Sequence, residues 1–217
     1  MPKIVDHEKR RDEIAMVACR VVAEGGFDQA TIVRIAREAG YTTGMVAHYF
    51  DTKQDIIIAA LRLMLRRIDE RLQRNSEGER PDLLTLLMEM LPVDEERFIE
   101  CAFWTAFWGQ VTADKRLKRI NSWLHREYQR LFERCLSRAW PEWPRWPAEA
   151  RDSVLRSVIT FINGLTASAV ASRGDWPAEK QVELVRLQIA MLREWAARIA
   201  VPAAAKLRKE RSGTSAA

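Results

Sequence analysis

The sequence predicts an all-α protein, in which an N-terminal domain of three short helices is joined by a long helix to a larger helical bundle. Glycine and proline, which most often interrupt helices, number only 9 and 8 in 217 residues. Apolar side chains recur every three or four residues through nearly every segment, which is the period of a helix with one buried face. No segment shows the alternation that is typical of a half-buried strand.

Residues that favour helix ends delimit the first four helices. Glycine suits a C-terminal cap because it tolerates positive φ, and threonine suits an N-cap because its hydroxyl accepts a backbone N–H. The spacing of Thr52 and Asp55 is that of a capping box, which opens a long fourth helix. The predicted ends lie near Gly25-Gly26 for the first helix, Thr31 and Gly40 for the second, Thr43 and Phe50 for the third, and Thr52 and Arg74 for the fourth.

The remainder of the chain predicts the bundle. Residues 75–81 form a polar loop, and tryptophan alternates with proline in residues 140–147, which predicts a connection because proline disfavours a helix in the residue before it. Helices are expected at about residues 82–91, 92–112, 114–139, 148–172 and 177–199. We therefore divide the chain into domains at 1–53 and 54–202 and a flexible tail at 203–217.

Charge and cysteine content exclude some classes of protein but do not by themselves identify a DNA-binding protein. The formal net charge is +5, but residues 1–53 carry eight basic and eight acidic side chains, so the excess lies elsewhere. Cys19, Cys101 and Cys135 lack metal-binding spacing and are interpreted as buried thiols of a reducing compartment. We find no secretory or membrane-spanning stretch, so we expect a cytoplasmic protein with no membrane partner.

The sequence contains no pattern typical of an enzyme. His7, His48 and His125 are far apart in the sequence, and the motifs of zinc proteases, serine hydrolases, P-loops and Rossmann folds are missing. We therefore expect no catalytic residues, no metal ion and no cofactor.

Residues 31–50 predict a helix-turn-helix, a motif in which the second helix reads DNA. Two short helices meet at Gly40, where small alanines allow close packing. Hydroxyl and imidazole groups on the outer face could bond to phosphates and base edges, and Lys53 could neutralise a phosphate. Thr42 is expected to cap this helix, with Met45, Val46 and Phe50 facing inward and Thr43, Ala47, His48 and Tyr49 facing outward. Alternatively, residues 48–50 are core aromatic residues of an ordinary bundle.

The same segment resembles the signature of the TetR family of repressors. The shared pattern comprises Thr31, Gly40, Gly44, the sequence His48-Tyr49-Phe50 and Lys53. This resemblance implies phosphate contacts for Thr31 and Tyr49, major-groove contacts for Thr42, Thr43, Gly44 and His48, and a backbone contact for Lys53. Tyr41 departs from the small aliphatic residue usual in the family, and it either adds a phosphate contact or only fills the turn.

A cluster of aromatic residues in the bundle is the candidate ligand site. Residues 98–140 and 162–165 resemble the BetI-like branch of the TetR family, whose type member responds to choline. If the cluster lines a cavity, a quaternary ammonium ion would be attracted to the ring faces, and Asn163 would orient it. Such residues more often fill a core, and Asn163 would then be a core amide. The candidate residues are Trp104, Phe107, Trp108, Trp123, Tyr128 and Asn163.

The last two helices are the candidate dimer interface. Small residues recur at four-residue spacing in the first, which allows a second helix to approach closely, and the other is apolar over a wide arc. A monomeric bundle could use the same faces for its core. The predicted interface residues are Gly164, Ala167, Ser168, Ala171, Val185, Ile189, Leu192 and Trp195.

These patterns, with the resemblance, imply a DNA-binding transcription regulator that acts as a repressor. We expect a homodimer on a palindromic double-stranded DNA operator, released when a small-molecule effector shifts the helix at residues 52–74. The alternative is a dimeric regulator whose larger domain binds no ligand.

Overall fold

The computed structural model describes residues 7–75, 82–111 and 115–213, with side chains described as far as residue 198. These residues form nine α-helices and, within the same ranges, no strand, which confirms the all-α prediction. The helices are α1 (His7–Gln29), α2 (Ile32–Glu38), α3 (Thr43–Tyr49), α4 (Lys53–Arg74), α5 (Leu83–Met88), α6 (Glu95–Val111), α7 (Lys115–Ala139), α8 (Ala148–Ala171) and α9 (Ala178–Gly213).

Glycines bend or end the first two helices, much as the sequence predicts. Gly40 has φ +70° in the turn after α2, and Gly26 has φ +77° within α1. Gly26 has non-helical dihedral angles and interrupts the helix, as predicted for the glycine pair, and a short further turn then reaches Gln29. A residue with positive φ bends a helix without preventing a further turn beyond it.

Threonines cap the next three helices. Thr31 and Thr42 each accept a backbone N–H at 3.1 Å, which begins α2 and α3. Thr52 accepts the Asp55 backbone N–H at 3.2 Å, while the Asp55 carboxylate accepts the Thr52 backbone N–H at 3.0 Å. The predicted capping box of α4 is therefore confirmed.

The N-terminal helices and the bundle share one apolar core. α1 packs against both α4 and α6, and the ring centroids of Phe27 and Phe103 lie 5.8 Å apart where α1 meets α6. α2 packs against both α1 and α3. The bundle therefore fixes the position of α3 through α1 and α4, and the division of the chain at residue 53 stays a prediction.

The C-terminal helices complete the bundle. α8 is the one helix in the described ranges that is long and apolar enough to cross a membrane, but its contacts with α6, α7 and α9 place it within the bundle. α9 continues to Gly213, past its predicted end near residue 199, because residues 203–211 are rich in alanine, lysine, arginine and leucine, which favour helices. The predicted loop at 76–81 and the last four residues of the predicted tail lie outside the described residues.

Candidate nucleic-acid interface and ligand cavity

The outer face of α3 is small, polar and exposed. Thr43, Gly44 and His48 are all exposed, whereas Val46 on the inner face has no exposed surface. A Cβ atom added at Gly44 would meet only the Thr42 hydroxyl, at 4.0 Å. The fold of the chain therefore does not require glycine at this position, and the free space faces outward, as a surface that approaches DNA closely needs.

Tyr49 does not face outward as predicted. Its side chain is only 8% exposed, because it follows Val46 by three residues and so shares the inner face of the helix. Its ring contacts those of His7 and His48, with centroids 5.0 and 5.3 Å away. The Arg11 guanidinium donates to the Tyr49 carbonyl oxygen and lies 4.2 Å above the ring of Phe50. α1 thus holds the C-terminal end of α3.

Tyr41 and Lys53 are engaged in contacts within the chain. The Tyr41 hydroxyl donates to Glu13 at 2.6 Å, and this hydrogen bond is the main reason why the pKa of Glu13 is lowered. The Lys53 ammonium donates to the Phe27 carbonyl oxygen at 2.5 Å, near the C-terminal end of α1. Both side chains are therefore tied to α1. The predicted phosphate contacts of Thr31, Tyr41, Tyr49 and Lys53 stay predictions.

A narrow cavity lies between α4, α6, α7 and α8, with about 30 Å³ of room for the centres of water molecules. Three of the predicted ligand residues, Trp104, Tyr128 and Asn163, line it, and the ring centroids of Trp104 and Tyr128 are 5.6 Å apart. The other lining residues are Met64, Leu65, Ile68, Arg71, Glu89, Met90, Arg97, Glu100, Cys101 and Thr166.

The other three predicted ligand residues do not line this cavity. Phe107 is fully buried against Trp104, and Trp108 meets the edge of the same indole. The Arg62 guanidinium lies over the ring of Trp123, 5.5 Å from the ring centroid. Helical spacing predicted Trp104, Phe107 and Trp108 on one face of α6, but it did not show which part of that face borders a cavity. Phe107, Trp108 and Trp123 are therefore removed from the proposed site.

A buried ionic network forms one wall of the cavity and was not predicted. Arg71 of α4 donates to both Glu100 carboxylate oxygens, at 2.7 and 3.2 Å, and Arg67 donates to the same carboxylate at 2.8 Å. Glu89 accepts from Arg97 at 2.6 Å and from Asn75 at 2.9 Å. One signal was available in the sequence: Arg71 falls among the apolar positions of α4, directly before buried Leu72.

Burial makes the other polar groups near the cavity unreactive. It raises the pKa of Cys101 and of Cys135 to about 12, and it raises the pKa of Tyr128 above its usual value. The three cysteines are free and buried, as predicted. These groups remain protonated at neutral pH and can contribute shape and hydrogen bonds, but not a nucleophile.

The predicted dimer interface is partly wrong. Val185, Ile189 and Leu192 have 0%, 7% and 7% exposure, so they belong to the core of the protomer. Gly164 and Ala171 are exposed, and Ala167 and Ser168 are half-buried. Trp195 is exposed and continues an apolar stripe along α9 that the sequence analysis missed. This α9 stripe consists of Leu187, Met191 and Trp195, which are 56%, 58% and 39% exposed.

Comparison with known proteins identifies the family. A model of the bacterial regulatory proteins of the tetR family matches residues 14–60, and a model of the C-terminal region of BetI-type transcriptional repressors matches residues 79–194. The second match alone covers more than half of the chain. The protein belongs to the TetR family of transcriptional regulators. It lies in the BetI-type branch, and these families are regulators rather than enzymes, which confirms both predictions.

Individual TetR-family relatives agree with this assignment. The chain is 36% identical over 110 residues to the HTH-type transcriptional regulator PksA of Bacillus subtilis, which is 49% of this chain and 54% of that one. It is 30% identical over 125 residues to the regulator BetI of Burkholderia cenocepacia, which is 56% of this chain and 64% of that one. The matches thus span between about half and two thirds of these relatives' lengths.

A solved structure shows the same fold. A regulator from Saccharomonospora viridis, determined in complex with choline, superposes with a TM-score of 0.70 at 18% identity. The superposition covers 84% of this chain and 96% of that one. At this identity the likeness shows a shared fold.

Proposed function

We propose that this protein is a repressor that acts as a homodimer on a palindromic operator and is released by a small quaternary ammonium compound. The observation that carries this proposal is the position of the cavity on α4. Met64, Leu65, Ile68 and Arg71 of α4 line it, and the same helix begins directly after α3.

The N-terminal end of α4 is tied to the DNA-reading helices. Lys53 bonds to the last turn of α1, and the capping box fixes the turn between α3 and α4. Because the cavity is narrow, a bound ligand must displace some of its wall, and a shift of α4 is transmitted to α3. Release then requires that the ligand bind the shifted state more tightly than the DNA-bound state.

The rings of Trp104 and Tyr128 support the choice of a quaternary ammonium ligand. Such a cation gains about 0.5–2 kcal/mol over each aromatic face, and needs no hydrogen-bond acceptor. The choline complex of the Saccharomonospora viridis regulator shows that a neighbour of the same fold accommodates such a ligand. Asn163 also lines the cavity and provides a polar group.

A homodimer would place two copies of α3 on one side of DNA. A single short helix makes few base contacts, and two half-sites about 34–36 Å apart overcome this limit. The exposed α9 stripe, together with Gly164 and Ala171 of α8, is the surface that we propose for the partner. Sequestering the stripe would remove exposed apolar surface that is unusual for a monomer.

Fluorescence polarisation on the DNA upstream of the protein's own gene, at moderate salt, tests the proposal. We expect sequence-specific binding that choline reverses. Gly44→Ala should weaken binding about tenfold or more, because its methyl group occupies the space for DNA, while Thr85→Ala, at an exposed position of α5, should not change it. Absence of specific binding would contradict the proposal, and binding that choline does not alter would favour the ligand-independent alternative.

A further inference from the structure

The cavity wall presents an excess of hydrogen-bond donors. The Nε atom of Arg97 and the indole nitrogen of Trp104 are buried and have no acceptor in the described chain. The Nε atom of Arg71 lies 3.1 Å from a Glu89 oxygen, but without the alignment of a hydrogen bond. Buried N–H groups without acceptors are costly, so a ligand that supplies acceptor oxygens would gain from them.

The acceptors of the same wall are already occupied. Glu100 accepts three hydrogen bonds, from Arg67 and Arg71. Both oxygens of Glu89 are likewise occupied, one by Arg97 and the other by the amide of Asn75. A ligand N–H or O–H group therefore finds few free acceptors on this wall, whereas a ligand oxygen finds several free donors.

Charge in the buried part of the network does not oppose an acceptor group. Three guanidinium groups, those of Arg67, Arg71 and Arg97, contact two buried carboxylates, those of Glu89 and Glu100. Asp94 and Glu96 also contact the outer arginines, but their side chains are 51% and 62% exposed, so water screens them. Arg67 does not line the cavity, so the lining itself balances two arginines against two carboxylates, and the preference for an acceptor rests on the unpaired N–H groups.

We propose that the effector is a small zwitterion, which places a carboxylate on the N–H groups of Arg71, Arg97 and Trp104 and a quaternary ammonium group on Trp104 and Tyr128. This inference rests on the proposed function and adds the carboxylate to it. Met64 and Met90 line the cavity and are flexible enough to widen it. A ligand without a carboxylate would leave the donors unpaired.

Four probes of matched shape separate the two halves of this ligand. Glycine betaine has both the ammonium and the carboxylate, and choline has the ammonium with a hydroxyl in place of the carboxylate. In 3,3-dimethylbutanoate a neutral carbon replaces the ammonium nitrogen and the carboxylate is kept, and 3,3-dimethylbutan-1-ol carries neither charge. Calorimetric titration of the full chain should give a dissociation constant about tenfold lower for each carboxylate than for its alcohol, as expected for charge-assisted hydrogen bonds.

The two comparisons fail independently. Equal or tighter binding of the alcohols overturns the carboxylate inference and leaves the ammonium ligand of the proposed function in place. Equal binding of ammonium and carbon analogues overturns the ammonium ligand and leaves the carboxylate. If none of the four binds, both ligand assignments are wrong, while the DNA titration still tests the regulator itself.

Variants locate the carboxylate on the proposed donors. Trp104→Phe removes the indole N–H and keeps a smaller ring, so it should weaken betaine binding about tenfold more than it weakens choline binding. Arg97→Lys keeps the charge, removes the Nε–H and serves as a second variant should Trp104→Phe unfold. Trp123→Phe, outside the cavity, is the matched control. An equal loss for betaine and choline in both cavity variants would overturn the assignment.

Discussion

The proposed DNA-reading helices α2 and α3 and the proposed ligand cavity are organised by different kinds of contact. In α2 and α3, each helix begins at a threonine whose hydroxyl bonds to an N–H three residues later. In the cavity, the decisive contact joins Arg71 of α4 to Glu100 of α6, which are far apart in the chain. The first region follows local rules that a sequence displays directly, whereas the second depends on how helices pack.

The two regions also differ in what they leave free. The outer face of α3 exposes small side chains, and the chain does not fill the space at Gly44. The cavity, by contrast, lies between helices of the chain and has a buried charged network beside aromatic rings. We propose the first region for contact with a large partner and the second for a small enclosed ligand. Substitutions in each should therefore show different penalties.

The largest effect is expected from Arg71→Met, which breaks the buried network. Glu100 would keep only Arg67, and both buried carboxylates would lose part of their compensation. We expect the free energy of unfolding to fall by about 3 kcal/mol, as is typical when one partner of a buried ion pair is removed. Chemical denaturation monitored by circular dichroism measures this change.

A second substitution and an exposed control sharpen the result. Adding Glu100→Gln to Arg71→Met should recover part of the loss, since it removes a carboxylate that the first change left underpaired. Arg156→Met breaks an exposed ion pair with Asp152 on α8 and should leave stability unchanged within error. If Arg71→Met costs no more than Arg156→Met, the network does not hold α4 in place.

The sequence predicted the local features well and the tertiary ones poorly, for physical reasons. The caps at Thr31, Thr42 and Thr52 were predicted because each involves residues within one turn. Tyr49 was misplaced because a seven-residue helix has too few positions to define its inner face without knowing what packs on it. On α9, a wide apolar arc was recognised, but only packing divides it into a core face containing Val185 and an exposed face containing Met191.

Met191→Glu tests that division of α9 and should have the second largest effect. A carboxylate in the middle of the α9 stripe would have to be buried in the proposed dimer, so the dimer dissociation constant should rise about tenfold to a hundredfold. Sedimentation equilibrium measures it, and folding of the protomer should be unaffected because the side chain is 58% exposed. Ala197→Glu, on another face of α9, is the control, and equal weakening by both would place the interface elsewhere.

The smallest effect, and the one that isolates a local rule, is expected from Thr52→Ala in the capping box of α4. The hydroxyl accepts the Asp55 N–H and donates to the Asp55 carboxylate at 2.6 Å. Its loss should lower the free energy of unfolding by about 1 kcal/mol at neutral pH, and Thr52→Ser should restore most of it. Thermal denaturation of the three proteins gives the comparison.

The same variant should show a defined pH dependence. The pKa of Asp55 is lowered first by its hydrogen bond from Thr52 and then by Arg116 of α7, which donates to the other carboxylate oxygen at 2.6 Å. Because the folded-state pKa lies below the unfolded one, this stabilisation is fully present above about pH 4 and is lost as the pH falls through the folded value. The difference between Thr52→Ala and the unaltered protein should therefore shrink on acidification. A difference that stays constant down to pH values where carboxylates are protonated would mean that the Thr52 hydroxyl stabilises α4 only by accepting the Asp55 backbone N–H. The contact between α7 and the start of α4 would then not depend on the cap.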